Sequence, residues 1–186
     1  MKVTLQDIQK AQETIGSVAR KTPLVHSAAA SAHLGCEVYL KCENFQLTGS
    51  FKLRGALNKI SSLTDAEKRR GVIASSAGNH AQGVALSAAK LGVKSTIVMP
   101  RNASIVKQTA TRNYGGEVVL HGSVYDEAYE HARELEKTTG AIFVHPFEDP
   151  LVIAGQGTVG LEIFEQLPDV DSVILGIGGG GWISGV

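Results

Sequence analysis

The chain has 186 residues, and its 18 Lys plus Arg balance 18 Asp plus Glu to a formal net charge of zero. That length buries a sizeable core without metals or disulfides, and the balance excludes the broad basic field that draws proteins to nucleic acid or anionic membranes. No stretch approaches the roughly 18 uninterrupted apolar residues of a membrane span, so the expected partner is a small molecule recognised locally.

The opening segment, "MKVTLQDIQK", lacks the apolar run of a secretion signal, and a cytoplasmic location is expected. Thr4 and Asp7 have capping-box spacing, while Leu5, Ile8, Ile15 and Val18 share one helical face; they predict a first helix that stops before Pro23. The two cysteines, Cys36 and Cys42, lack the spacing of a disulfide framework or of a repeated metal-ligand pattern, and read as buried free thiols. Val38 to Cys42 reads as a strand between them. A helix is expected to start near Ser50 to Lys52, and Thr64 with Glu67 caps a shorter one that Gly71 ends.

An alternation then sets in. Apolar runs at Val72 to Ala74, Ser95 to Met99, Glu117 to Leu120, Ala141 to Val144 and Ser172 to Ile177 read as strands. Helix-length segments separate them at Asn79 to Leu91, Ser104 to Tyr114, Val124 to Thr138 and Leu151 to Leu167, with Gly92, Gly115 and Gly140 as stops. Strands joined by crossovers of this length run parallel, so the fold class is α/β, with parallel sheets and flanking helices. In open sheets of this kind ligands gather at the carboxyl ends of the strands.

Three loops carry chemistry. In "CENFQLTGSFKLRGALNKI", Lys52 stands between Phe51 and Leu53 at the start of a helix, where the dipole and apolar neighbours disfavour its charge. These are the conditions for a nucleophilic amine; the competing reading is a lysine that snorkels to solvent. In "ASSAGNHAQGVALSAAKLG", Ser76 can cap, Gly78 can take positive φ, and the first-turn N–H groups can grip a carboxylate, with Asn79 and His80 on the same rim. An ordinary N-cap is the alternative. In "GIGGGGWISGV", the run Gly178 to Gly181 lets backbone N–H groups approach an oxyanion. Gly176, Gly178 and Gly181 also satisfy G-x-G-x-x-G, so a nucleotide binder is a further reading, and a plain flexible loop another. A phosphate for the glycines, a carboxylate for the turn and an electrophile for Lys52 describe an amino acid joined to pyridoxal phosphate.

Four segments, "TGSFKLRGA", "SSAGNHAQGVALSAAKLG", "VIAGQGTVGLEI" and "IGGGGWISG", resemble in order and spacing the fold type II pyridoxal phosphate enzymes (tryptophan synthase beta-like), most closely threonine dehydratases and the related serine racemases. The resemblance implies that Lys52 forms the Schiff base with the cofactor and serves as a base, and that Asn79 meets the ring hydroxyl. It implies that Phe51 packs near the ring and that Gly178, Gly179, Gly180 and Gly181 hold the phosphate. The turn Ser76, Ala77, Gly78, Asn79 and His80 would receive the substrate carboxylate. The implied reaction is β-elimination of threonine or serine to a 2-oxo acid and ammonia. Racemases of this group carry serine at the position of Ala77, so alanine favours a dehydratase. Two positions depart from the family pattern: Gly176 stands where proline is usual, and Trp182 where leucine or methionine is.

By the same resemblance, residues 71–148 form a small α/β domain, and residues 1–70 and 149–186 part of a large cofactor-binding domain whose remainder lies further along the family's chains. This leads us to expect a front portion with an open sheet edge that self-associates as a homo-oligomer or pairs with a complementing carboxyl-terminal segment. A racemase-like enzyme, or a noncatalytic paralogue that binds the cofactor or a full-length partner, are the alternatives.

Overall fold

The computed structural model describes residues 2–186. Helix α1 (Leu5–Ile15) opens with the expected capping box, Asp7 N–H donating to Thr4 Oγ1 and Thr4 N–H to the Asp7 carboxylate. Strand β1 (Leu24–His26), helix α2 (Ala28–Leu34) and strand β2 (Tyr39–Lys41) follow, and the two strands pair antiparallel. Only the second strand was legible in the sequence. Ser27 caps α2 and Gly35 ends it at φ 70°, but the alanine-rich segment between them has no apolar periodicity to mark it. Cys36 is exposed and Cys42 half-buried, both free, which corrects the expectation of buried thiols.

Helix α3 (Lys52–Ser61) leads to α4 (Asp65–Arg70), which carries the predicted Thr64–Glu67 capping box and ends at Gly71 with φ 82°. Strands β3 (Val72–Ser75), β4 (Ser95–Met99), β5 (Glu117–Leu120) and β6 (Ile142–Phe143) alternate with helices α5 (Asn79–Lys90), α6 (Ile105–Asn113) and α7 (Tyr125–Thr139). They form one parallel sheet in the order β5-β4-β3-β6. The chain steps outward from β3 through β4 to β5, then returns to the other side of β3. A reversal of direction like that between β3 and β6 is where open α/β sheets place ligands, at the carboxyl ends of the strands.

Alternation along β3 divides the core. Val72 and Ala74 face a cluster with Ala56, Ala81, Val84 and Ile97, whereas Ile73 faces Val98, Ala128, Ala132 and Phe143 beneath α7. Helix α8 (Pro150–Gln166) crosses α3 at close range: a Cβ on Gly55 would lie 2.6 Å from the Val152 carbonyl oxygen. Beside that crossing the buried Arg54 guanidinium donates to Glu43 Oε2 at 2.9 Å and to Glu162 Oε1 at 2.6 Å. Lys41 Nζ donates to Glu162 Oε2 at 2.6 Å. Paired and hydrogen-bonded in this way, the charges tolerate burial.

The predicted strand at Ser172 to Ile177 does not form. A strand exists only through its partner, and among the described residues none lies beside this stretch; Ile174 is 96% exposed and Ile177 70%. The short helix α9 (Gly181–Gly185) follows it. No described helix is long and apolar enough to cross a membrane.

Candidate functional site

Lys52 is the first residue of α3, and the residue before it, Phe51, supplies no side-chain cap. The amine therefore sits at the positive end of the helix dipole. Burial pushes its pKa below the ordinary lysine value, because removing water disfavours the charged form. No carboxylate pairs with it among the described residues; its one acceptor is the Pro146 carbonyl, 2.8 Å away. It also stands over the Phe51 ring, 5.3 Å from the centroid.

The Ser76–His80 turn differs in detail from its expected geometry. Ser76 does not cap α5; its Oγ accepts from the Gly78 N–H at 3.2 Å, and Gly78 itself is the N-cap. Gly78 takes φ −142°, negative rather than positive. With no side-chain cap, the first-turn N–H groups of α5 remain available to an anion. Asn79 is exposed on that rim, and Ala77 packs against the core. The imidazole of His80 points inward, buried, with Nε2 2.9 Å from the Val144 carbonyl. A carbonyl only accepts, so Nε2 carries the hydrogen; Nδ1 is buried without a partner.

The glycine run divides into two kinds. A Cβ on Gly178 or Gly180 would meet nothing within 4 Å, and Gly180 takes φ 83°. Gly179 and Gly181 lie flat against Phe147, and a Cβ on Gly181 would fall 2.5 Å from its carbonyl oxygen. Thus two glycines face open space and two allow close approach. Trp182 stacks on Phe51, ring centroids 4.0 Å apart, and its Nε1 is buried without a partner.

Lys52, His80 and the glycine run therefore converge on one segment, Val144 to Phe147. Sequence reasoning took Val144 as the end of a strand and missed the rest. The available signal was Pro146, which has no N–H to continue a ladder. Within the segment, His145 Nδ1 accepts from Phe147 N–H at 3.3 Å and Glu148 N–H at 2.9 Å, closing a turn.

These residues suit a phosphorylated aldehyde. The amine is desolvated and unpaired, glycine backbone faces open space, and the hydroxyls of Thr48, Ser50 and Ser75 are buried without partners. An anion at the glycines and a polar ring near the amine match that donor set. A cavity of about 510 Å³ lined by Arg101, His121, Glu127 and His131 includes none of these residues.

An L-threonine ammonia-lyase of Thermotoga maritima is 58% identical over 184 residues, which are 99% of this chain and 46% of that protein. Among solved structures, maize serine racemase superposes with a TM-score of 0.97 at 38% identity, over 100% of this chain and 56% of that one. The processed form of threonine deaminase isoform 2 from Solanum lycopersicum gives a TM-score of 0.91 at 43% identity, over 100% and 52%. The chain thus spans about half the length of the relatives it matches. The description "pyridoxal-phosphate dependent enzyme" matches residues 15–186, and the chain belongs to that family.

Proposed function

We propose that the chain supplies the lysine, substrate turn and glycine loop of a pyridoxal phosphate-dependent threonine/serine ammonia-lyase. The observation that carries this reading is the convergence of an unpaired, desolvated amine and the glycine run on Val144 to Phe147. Gly178 and Gly180 would hold the phosphate through backbone N–H groups, with Gly179 and Gly181 anchoring the loop to Phe147. Phe51 would wall the ring, and Asn79 would meet its hydroxyl. When bound, the cofactor supplies an electron sink that acidifies the α-C–H of an amino acid.

The remaining steps belong to the protein. The first-turn N–H groups of α5, from the Ser76–His80 turn, hold the substrate carboxylate and set which C–H faces Lys52. Lys52 Nζ, its charge disfavoured by burial, is placed to take the α-proton. Ala77 has no proton to exchange on the opposite side, so protonation is one-sided and elimination is favoured over racemisation. Threonine would lose its β-hydroxyl as water, regain water in hydrolysis, and leave as 2-oxobutyrate and ammonia.

The close superposition on serine racemase supports a second reading, racemisation, against which Ala77 stands. The proposed organisation is a small domain at 71–148 and part of a large one at 1–70 and 149–186. The exposed Ile174 and Ile177 favour a cover from a second copy or a complementing segment. The cytoplasm is the proposed location.

The test is a visible absorption band on adding pyridoxal phosphate, lost in Lys52→Ala, with 2-oxobutyrate release from threonine measured in parallel. No band in the wild-type chain overturns cofactor capture. A band with D-serine formed from L-serine and no 2-oxo acid overturns the lyase in favour of the racemase.

A further inference from the structure

The ladder between β3 and β6 ends one rung early. Its registered pairs are Val72 with Ile142 and Ile73 with Phe143, and the Val144 N–H still donates to Ile73 at 2.8 Å. In a parallel ladder the next bond would run from Ser75 N–H to the Val144 carbonyl. It is not made; the His80 imidazole takes that carbonyl instead. The rung after would need an N–H at position 146, where proline has none. Two residues beyond Val144, in the turn that His145 closes, the Pro146 carbonyl receives the Lys52 amine.

We infer that His80 is a positioning residue for Lys52: its imidazole replaces the ladder rung between β3 and β6, and so holds the Val144–Phe147 segment where the Pro146 carbonyl meets the amine. The inference rests on the reading of Lys52 as the cofactor's lysine, and it assigns the imidazole a task separate from substrate contact. One hydrogen bond from the side chain fixes the segment that also seats Gly179 and Gly181 on Phe147. Without it the segment keeps the Val144 N–H bond to Ile73 and the Phe147 contact with the glycines but loses the bond nearest the amine, and water gains access to Lys52.

The test needs no cofactor. The chain is acylated with acetic anhydride across a pH series, and labelling at Lys52 is quantified by mass spectrometry against the other lysines. His80→Leu, which removes the donor, is expected to raise the Lys52 labelling midpoint toward the ordinary lysine value, read as severalfold slower labelling at a fixed pH below that midpoint. His80→Gln, whose amide can still donate to Val144, is expected to stay with the wild type. Should His80→Leu fail to fold, His80→Asn, polar but too short to reach Val144, takes its place. A role confined to packing would lower the unfolding midpoint and leave the labelling midpoint of the folded protein unmoved. An unmoved midpoint in the Leu or Asn variant overturns the inference, as does a Gln variant shifted equally far. An absent pyridoxal phosphate band in the wild type counts against the cofactor reading alone, because the labelling result stands without it.

Discussion

Phe51 and Trp182 stack nearly parallel, 4.0 Å between centroids and 15° between planes, and so join the start of the Lys52 helix to the end of the glycine run. No other tryptophan occurs in the chain, which makes the indole a spectroscopic probe of that junction. Trp182→Leu keeps an apolar side chain but loses the stack. A loss of about 1 kcal/mol beyond buried area is expected, read as a lower urea midpoint. Fluorescence of the wild type should change when pyridoxal phosphate binds, and an unchanged spectrum alongside a visible cofactor band would separate the junction from the cofactor site.

Acid should destabilise the fold before its carboxylates titrate. Burial, which outweighs the opposing hydrogen bond to Val144 and is helped by smaller contributions from Lys52 and His145, lowers the His80 pKa to about 4 from 6.5. Below pH 6.5 the unfolded chain takes up a proton that the native one refuses, so stability falls with pH until the native imidazole also protonates near pH 4. The loss over that window is about 3 kcal/mol. Burial lowers the His145 pKa as well, which acts in the same direction. Urea midpoints at pH 7, 6 and 5 check the trend. His80→Gln should flatten it, and an unchanged slope would remove His80 as its source.

Removing the Arg54 guanidinium leaves Glu43 and Glu162 facing each other inside the protein. Breaking a buried pair in this way costs about 3–5 kcal/mol. Arg54→Met is expected to lower the urea midpoint accordingly, and a midpoint equal to that of the wild type would contradict the electrostatic origin.

The two kinds of glycine should separate in mutagenesis. Gly181→Ala drives a methyl group against the Phe147 carbonyl, an overpacking that costs about 1–3 kcal/mol. Gly178→Ala meets no atom, so its thermal midpoint should stay near that of the wild type while its apparent affinity for pyridoxal phosphate falls. Equilibrium dialysis alongside thermal denaturation distinguishes the two outcomes.

Lys52, the Ser76–His80 turn and the glycine run were legible because each combines a reactive or polar group with a local backbone signal. Val144 to Phe147 was not, because its contribution is carbonyl oxygens, which every residue has and no composition reveals. Direction was also hidden: nothing in "GNHAQG" says that Asn79 faces out while His80 turns inward, since only the three-dimensional neighbour at Val144 decides it. The run Ser172 to Ile177 shows the opposite limit. Its apolar residues have the composition of a strand, but pairing is a property of two segments, and the second is not beside it.

Strand β6 is registered to the sheet over only two residues, Ile142 and Phe143, so the wall bearing the acceptors of both His80 and Lys52 hangs from the sheet's shortest attachment. Sub-global opening there requires far less free energy than unfolding the chain. Amide protons near Val144 should exchange with solvent sooner than those of β4, and such breathing would give a ligand passage to the amine while the rest of the sheet stays closed.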